Sequence, residues 1–427
     1  MKKILKDDKG SISTVVLVTV LFFVTILSTG YMVAATLRKG QLKSELVAKE
    51  TYEKPLNNLE ELADEINGTT LPSTAETTPW LPDRTFKVVD GTLDTGLVIA
   101  DKDGNEYVWV VVPKSLYDDT KYNSDGSKKP ASSTDYANIE YCLQQYTATY
   151  RNGTSYSDVY YPDNDNVGWF VDETVYNNLK NSMLKSVYEN GGFYVGRYEA
   201  GIAKNRTSNT DKNSEGKYIT PSTVPVSKAD AYPYTYVTRT QAQNLASKVN
   251  SGTKTSSLMF GVQWDLVLAF MSRDTAKITS TDDLTSNSTK IGNYRDSVFQ
   301  LSQTGQYAVY SNYSLSSTWN LATAATANFV DSSRNKIAQS SRGNGILVTT
   351  GTSEKNKVMN IYDIAGNVGE LTLEKTSYTS SQCAIRGGGN SFAGSELPAA
   401  NRINGSTEGS GRRRRFPCFT FLGKAER

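Results

Sequence analysis

The chain has 427 residues, a formal net charge of +2 and no histidine. The balanced charge argues against a nucleic-acid-binding protein, because such proteins carry a basic face or tract. The absence of histidine excludes Ser-His-Asp triads, Cys-His dyads and imidazole-ligated iron, copper or zinc sites. Catalysis or metal binding would therefore have to use other side chains.

The chain has three cysteines, Cys142, Cys383 and Cys418. None forms a Cys-x-x-Cys pair, which argues against a zinc or iron–sulfur centre. Two alternatives remain for Cys142 and Cys383. They form a disulfide in an oxidising exterior, or they are two buried free thiols.

Residues 11–37 contain no charged side chain and predict one membrane-spanning helix. The run is about 27 residues long, enough to cross a hydrocarbon core of about 30 Å. Four lysines precede it, which favours a cytoplasmic leader at residues 1–10. The composition after the helix is that of a polar ectodomain, so we expect a single-pass protein of the cell membrane with an extracellular head.

The junction between Gly10 and Ser11 resembles a prepilin-type signal, which is cleaved just before the apolar helix. This resemblance implies a mature helix that packs into a pilus or pseudopilus. Type IV prepilins usually carry Glu at the fifth mature position, where this chain has Val15. A plain signal-anchor and a prepilin-like signal therefore both remain, and the mass of the mature N-terminus distinguishes them.

Residues 38–80 predict a stalk and a linker between the anchor and the head. Gln41 to Ile66 is typical of a polar helix interrupted by Pro55, with leucines at spacings of three and four. Asn67 to Thr78 is rich in Gly, Ser, Thr and Pro and predicts a linker. The head is expected at residues 81–427.

The head pattern predicts short strands, few helices and long polar loops. Leu97–Ala100 and Tyr107–Val112 predict a β-hairpin around an Asp-Gly turn. Phe193–Tyr198 predicts another strand. Thr240–Val249 predicts a helix that starts with a capping box at Thr240, and the apolar run Val262–Met271 predicts a buried helix.

Three stretches rich in Ser, Asn, Thr and Asp predict long loops, at residues 117–163, 204–221 and 275–343. Loops of this length are typical of a small core whose loops carry the function.

Several motifs occur in the order found in the formylglycine-generating-enzyme (sulfatase-modifying-factor) family. The motifs are Gly104–Val110, Phe193–Ala200, Gly261–Asp265, Tyr362–Glu370 and Arg386–Gly389. Together they span about residues 90–410, and the most specific are Ala-Gly-Asn-Val-x-Glu and Arg-Gly-Gly. The resemblance implies an α+β head with a C-type-lectin-like fold.

The chain departs from that family at the residues that carry catalysis. The family's oxidases have paired copper-binding cysteines after the Arg-Gly-Gly turn, and residues 390–397 contain none. Its iron-dependent relatives need histidines, which this chain lacks. The Trp residues that often flank the Asn-Val-x-Glu motif are also missing. The resemblance therefore implies the fold without oxidase activity, which remains the weakest alternative.

In non-catalytic relatives, including the variable proteins of diversity-generating retroelements, the segment after Arg-Gly-Gly faces the ligand. The matching segment here is Asn390–Thr407. The predicted contact residues are Asn390, Phe392, Ser395, Asn401, Arg402 and Asn404. An ordinary surface loop is the alternative interpretation.

The resemblance also implies a calcium position near Asn367 and Glu370, since family members can hold Ca²⁺ close to this motif and oxygen ligands suit that ion. The alternative is a polar turn capped by Asn367.

The C-terminal residues 412–427 lack the Gly-Phe-Arg strand with which family members commonly end. Read one base later, codons for Arg415–Thr420 can encode Gly-Phe-Arg, so we hypothesise a frameshifted tail with a damaged last strand. Without a frameshift, Arg412–Arg415 could contact an anionic polymer or lipid.

These observations predict a surface-displayed binding or adhesion protein with an extracellular glycan or protein as its ligand. The alternative is a minor pilin or pseudopilin with a lectin-like tip. No nucleic acid is expected as a partner.

Overall fold

The computed structural model describes residues 71–151, 157–161, 172–249, 254–322, 328–378 and 382–405, together with the backbone of residues 414–415 and 420–424. These residues belong to one compact unit, Thr69–Arg427. The helices are α1 (Thr120–Asn123), α2 (Tyr136–Tyr146), α3 (Glu173–Asn190), α4 (Arg239–Ala246), α5 (Gly261–Met271) and α6 (Asp282–Thr285), with 3-10 turns at Lys114–Tyr117, Ala148–Arg151 and Glu354–Asn356.

The strands are short and distributed along the whole unit. They are β1 (Lys87–Asp90), β2 (Val98–Ala100), β3 (Glu106–Val111), β4 (Gly192–Gly196), β5 (Gly201–Ile202), β6 (Tyr232–Pro233), β7 (Lys254–Ser257), β8 (Phe299–Gln300), β9 (Gln306–Ser311), β10 (Ser314–Leu321), β11 (Asn335–Lys336), β12 (Gly345–Val348), β13 (Lys357–Val358), β14 (Ile361–Tyr362), β15 (Gly369–Lys375), β16 (Cys383–Arg386), β17 (Arg402–Gly405), β18 (Arg414–Arg415) and β19 (Thr420–Lys424). Helices and largely antiparallel sheets alternate irregularly, so the head is an α+β domain.

The largest sheet has the order β1-β2-β3-β4-β19-β7. All its pairs are antiparallel. A four-stranded sheet, β17-β16-β15-β18, and a three-stranded sheet, β10-β9-β12, lie outside it. The predicted hairpin is confirmed as β2 and β3, and the predicted strand at Phe193 as β4.

Helix α5 forms the centre of the core. Every one of its residues is buried, and it contacts both β3 and β15. Its apolar sequence all round predicts this burial, so the predicted buried helix is confirmed. Its Trp264 Nε1 donates to the Ala399 carbonyl at 3.0 Å.

The N-cap of helix α4 lies two residues earlier than predicted, and the helix spans Arg239–Ala246 rather than Thr240–Val249. Its N-cap is Thr238, whose hydroxyl accepts from Gln241 N at 3.2 Å, while the Gln241 side chain accepts from Thr238 N at 2.9 Å. The capping box is therefore Thr238–Gln241, because Gln241 is the residue three positions on that reaches back to the cap.

The head begins before residue 81, so the linker prediction is wrong for residues 71–80. Thr77 and Trp80 are buried. The Thr77 hydroxyl donates to the Gly191 carbonyl at 2.7 Å and accepts from Trp109 Nε1 at 2.7 Å. The anchor, the Gly10–Ser11 junction and the stalk lie outside the described residues. Among the residues that the structure describes, no helix is long and apolar enough to cross a membrane.

Two of the three predicted loops contain regular structure. Residues 117–163 include α1 and α2, and residues 275–343 include α6 and β8 to β11. Their polar side chains lie on half-exposed elements, which composition alone does not distinguish from loops. Residues 204–221 contain no helix or multi-residue strand, as predicted.

The chain's last described strand, β19, contributes backbone to the largest sheet between β4 and β7. The frameshift hypothesis expected a damaged strand here, whereas the backbone of residues 420–424 completes the sheet. The nucleotide sequence of the gene shows whether the reading frame is shifted.

Candidate functional site

Four segments of the chain meet on one part of the surface and form what we call the Phe392 patch, which consists of Arg295, Tyr313, Arg342, Phe392 and Glu396. Residues 390–397, which supply Phe392 and Glu396, begin the segment Asn390–Thr407 that was predicted to face a ligand, and the stretch between α6 and β8 supplies Arg295. The hairpin that joins β9 to β10 supplies Tyr313, and the loop before β12 supplies Arg342. The patch combines aromatic, cationic and acidic groups that are partly open to solvent.

The β9–β10 hairpin presents Tyr313 in an uncommon backbone conformation. Asn312 and Tyr313 both have positive φ, at 45° and 61°. A two-residue turn with two positive φ angles matches the twist of paired strands, but bulky residues rarely adopt it. The neighbouring loop fixes the turn, because Tyr313 N donates to the Gly343 carbonyl at 2.9 Å and Asn312 N donates to Asn344 Oδ1 at 2.8 Å.

The ring of Tyr313 packs on Gly343. A Cβ added at Gly343 would lie 2.8 Å from the nearest ring carbon, and Gly343 has a φ of +88°. Only glycine fits both requirements without strain. Tyr313 itself remains 40% exposed, so one side of the ring packs on the protein while the side chain still faces solvent.

Arg342 covers the ring of Phe392, with its guanidinium carbon 4.8 Å from the ring centroid. The Glu396 carboxylate lies 3.9 Å from Arg342 Nε and 3.7 Å from Arg295 Nε. These long, partly exposed ion pairs are weak. A ligand that offers hydrogen-bonding groups can therefore replace them at small cost.

The segment that carries Phe392 is held by backbone hydrogen bonds rather than by regular structure. Arg295 N donates to the Phe392 carbonyl at 2.9 Å, and Gly343 N donates to the Ser391 carbonyl at 3.0 Å. Gly394 N donates to Asp296 Oδ1 at 3.2 Å. The segment is thereby preorganised, which lowers the entropic cost of binding.

The predicted contact residues divide into three groups. Phe392 is half-buried within the patch and Ser395 is exposed beside it. Asn390 is buried, with 5% of its surface accessible. Asn401 is half-buried just before β17 and Asn404 is exposed on β17. Residues 406 and 407, the end of the predicted segment, lie outside the described residues.

Arg402 was predicted to contact a ligand, and the structure places it in the interior instead. Its Nε lies 2.6 Å from the Glu374 carboxylate and its Nη2 lies 2.5 Å from the Asp265 carboxylate. Arg386 contacts the same two carboxylates at 2.9 and 2.6 Å. All four side chains are at most 2% exposed. The four residues form a closed buried network that joins α5, β15, β16 and β17, so Arg402 does not belong to a binding surface.

Asn367 does not fit the predicted calcium position. Its Oδ1 accepts from Asn293 Nδ2 at 2.9 Å and from Val348 N at 3.1 Å, and its Nδ2 donates to Glu199 Oε2 at 2.8 Å. A cation at this oxygen would have to displace two N–H donors. Glu370 is buried on β15. The described residues include no group of three His, Cys, Asp or Glu side chains arranged to hold a metal.

Cys142 and Cys383 are free and buried, which confirms the thiol alternative and excludes the disulfide in this structure. Burial raises the pKa of the Cys142 thiol to about 11. A thiol of this kind is almost wholly protonated at neutral pH and is a poor nucleophile.

Four patch residues were not among the predicted contact residues: Arg295, Tyr313, Arg342 and Glu396, the last of which lies within the predicted segment. The sequence does contain a signal near Tyr313, because the short β-prone run Tyr307–Tyr310 ends just before Ser311 and Asn312, residues that commonly bound strands. Arg295 and Arg342 carry no local signal, since only tertiary folding brings them to Glu396 and Phe392.

Comparisons of the chain with protein-family models, with curated proteins and with solved structures return no match.

Proposed function

We propose that this chain is a surface-displayed protein that binds an extracellular glycan through the Phe392 patch, with its head in a C-type-lectin-like arrangement and its N-terminal apolar segment as the anchor. One observation carries the proposal. Three loops that are distant in sequence converge to hold Tyr313, Arg342 and Phe392 in fixed, partly exposed positions.

The chemistry of the patch suits a saccharide. Aromatic rings offer an apolar face with little conformational entropy to lose, which matches the C–H face of a sugar ring. Arg342, Arg295 and Glu396 supply donors and acceptors for sugar hydroxyls. The strained turn at Tyr313 supports the same function, because such conformations cluster at binding sites.

The lectin-like arrangement is supported by the contacts between the two motifs that carry the family resemblance. Gly366 N donates to the Gly387 carbonyl at 2.7 Å, and Asn390 N donates to the Asn367 carbonyl at 3.0 Å. The Ala-Gly-Asn and Arg-Gly-Gly turns thus support each other and start the segment that carries Phe392.

The test is binding of the full-length chain in detergent to an array of immobilised glycans. We expect the parent to bind a subset of glycans and the double variant Arg342→Ala, Phe392→Ala to bind at least tenfold more weakly, a loss of about 1.4 kcal/mol. The matched control is Lys212→Ala, Tyr218→Ala, which removes another cation–π pair, with the ammonium 4.5 Å from the ring centroid. The control should bind as the parent does.

Equal binding by the patch variant and the parent would show that the Phe392 patch is not the glycan-binding surface. Absence of binding to every glycan, together with capture of a purified protein that the patch variant fails to capture, would overturn the glycan assignment and keep the surface. Unfolding midpoints of all variants establish that loss of binding is not loss of fold.

A further inference from the structure

A cleft that is separate from the Phe392 patch lies beside β8. It encloses about 390 Å³ and is lined by residues 299–303, Arg334 and residues 351–355. A volume near the lower end of the range for small-molecule sites suits a ligand of about one sugar ring. Phe299 provides an apolar wall, while serine, threonine and glutamine side chains provide polar ones.

Lys355 is the central cation of this cleft. Its Nζ donates to the Val298 carbonyl at 2.7 Å and lies 5.8 Å from the centroid of the Phe299 ring. An ammonium group has three donors, so the bond to Val298 leaves further donors for a ligand. Burial lowers the pKa of Lys355 to about 8, because the wall of the cleft solvates the ammonium group less well than water does.

Arg334 is the second cation. No ion pair joins its guanidinium to any carboxylate in the described part of the chain, and its backbone is held at a φ of 66°. The turn that fixes it is closed by Arg334 N, which donates to the Asp331 carbonyl at 3.0 Å. A guanidinium without an acidic partner favours a carboxylate, which it can bind through two parallel hydrogen bonds.

The negative charge of Glu354, the acidic residue in the lining of the cleft, is balanced by a neighbouring lysine. Its carboxylate lies 2.5 Å from Lys357 Nζ and also accepts from the Tyr362 hydroxyl. These contacts hold the pKa of Glu354 below its usual value even though burial acts in the opposite direction. The charge left facing the cleft is therefore that of Lys355 and Arg334.

A third lysine supports the wall without facing a ligand. Lys336 is buried and its Nζ donates to the Ser297 carbonyl at 2.9 Å and to the Tyr294 carbonyl. It lies 5.6 Å from the centroid of the Phe299 ring. Lys336 thus fixes β11 and the Phe299 ring, so the wall of the cleft is rigid before a ligand arrives.

We infer that this cleft binds a carboxylate-bearing monosaccharide of the hexuronate class. The carboxylate lies between Lys355 and Arg334, the ring packs toward Phe299, and the hydroxyls contact Ser302 and Gln303. The inference is independent of the glycan site at the Phe392 patch, since the two sites share none of the residues that define them.

The test uses the full-length chain in detergent and titration calorimetry with sodium glucuronate. We expect saturable binding with one site, at least tenfold weaker binding of glucose, and at least tenfold weaker binding of glucuronate to Arg334→Gln and to Lys355→Gln. The matched control is Lys102→Gln, because Lys102 is an exposed lysine that pairs with the neighbouring Asp103 at 2.8 Å. It should bind glucuronate as the parent does.

Three results would overturn the inference: no binding of glucuronate, unchanged affinity in both cleft variants, or inorganic phosphate that binds as tightly and competes. The double variant Arg342→Ala, Phe392→Ala separates the two sites, because it should retain glucuronate binding while it loses the array glycans. Thermal unfolding of each cleft variant, with Lys355→Arg as the variant that keeps the charge, separates loss of the ligand contact from loss of fold.

Discussion

The Asp265 carboxylate and the Arg386 guanidinium lie 2.6 Å apart, and both side chains are fully buried. Asp265 belongs to α5 and Arg386 to β16, so this pair ties the central helix to the sheet that leads into the Phe392 segment. Glu374 and Arg402 close the network. Because two acids face two bases, the buried charge is balanced only when all four residues are present.

Arg386→Met should therefore lower the free energy of unfolding by about 3–5 kcal/mol, since it leaves buried carboxylates with one cation between them. Denaturant unfolding measures the change. Arg273→Met is the control, because Arg273 is 36% exposed and its partner Asp94 is 89% exposed. That substitution should cost less than about 1 kcal/mol. Similar losses in both variants would mean that the buried network contributes no more than a surface pair.

Gly388→Ala should destabilise the head and disorder the segment that carries Phe392. Gly388 has a φ of +85°, and an added Cβ would lie 2.3 Å from the Leu397 carbonyl oxygen, which cannot retreat without moving that segment. We expect a loss of more than about 4 kcal/mol. Gly126→Ala is the control, because Gly126 has a φ of +88° with nothing within 4 Å of an added Cβ. It should cost only the backbone strain, about 1–2 kcal/mol.

Thr77→Val tests whether residues 71–80 belong to the head. The substitution keeps the shape of the side chain but removes the acceptor for Trp109 Nε1 and the donor to the Gly191 carbonyl. Leaving these buried groups unsatisfied should cost about 1–3 kcal/mol. Thr318→Val, on the exposed side of β10, should change stability little. A Thr77 variant as stable as the parent would restore the linker prediction for this stretch.

Asp363 should make stability fall as pH rises. Burial raises the pKa of this carboxyl from 3.8 to about 6, although Gly351 N and Asn356 Nδ2 donate to it. The folded state then holds the proton more tightly than the unfolded state. The favourable contribution is therefore complete below about pH 4 and is lost as pH rises through about 6, in total about 3 kcal/mol.

The measurement is the difference between the unfolding free energies of the parent and of Asp363→Asn at several pH values. Because the amide does not titrate, the parent should lose stability relative to the variant between pH 4 and 6, and the difference should be constant above that window. A difference that does not change with pH would show that Asp363 has an ordinary pKa in the folded protein.

The sequence predicted those elements whose local pattern agrees with their final environment. The β2–β3 hairpin has an Asp-Gly turn between apolar runs, and α5 is apolar on every face, so packing and local preference point the same way. Arg402 was wrongly predicted to be exposed, because a single arginine in a polar segment is typical of a surface position. Only the two carboxylates from α5 and β15 reveal that it is buried.

The two proposed binding sites were the least predictable part. Phe392 was found through the Arg-Gly-Gly turn, whereas Arg342 and Tyr313 come from loops whose spacing along the chain contains no information about Phe392. The same holds for the cleft, which is lined by both Arg334 and Lys355 although they are 21 residues apart in the sequence. Contacts of this kind depend on tertiary structure, which periodicity and turn chemistry do not describe.

Strand β19 has a consequence for how the protein is made. It lies between β4 and β7 in the largest sheet, yet it consists of residues 420–424 of 427. Chains are synthesised from the N-terminus at about 5–20 residues per second. Both neighbouring strands therefore wait with an open edge until residues 420–424 have been translated. A chain truncated before residue 420 would leave that gap unfilled and expose two strand edges to aggregation.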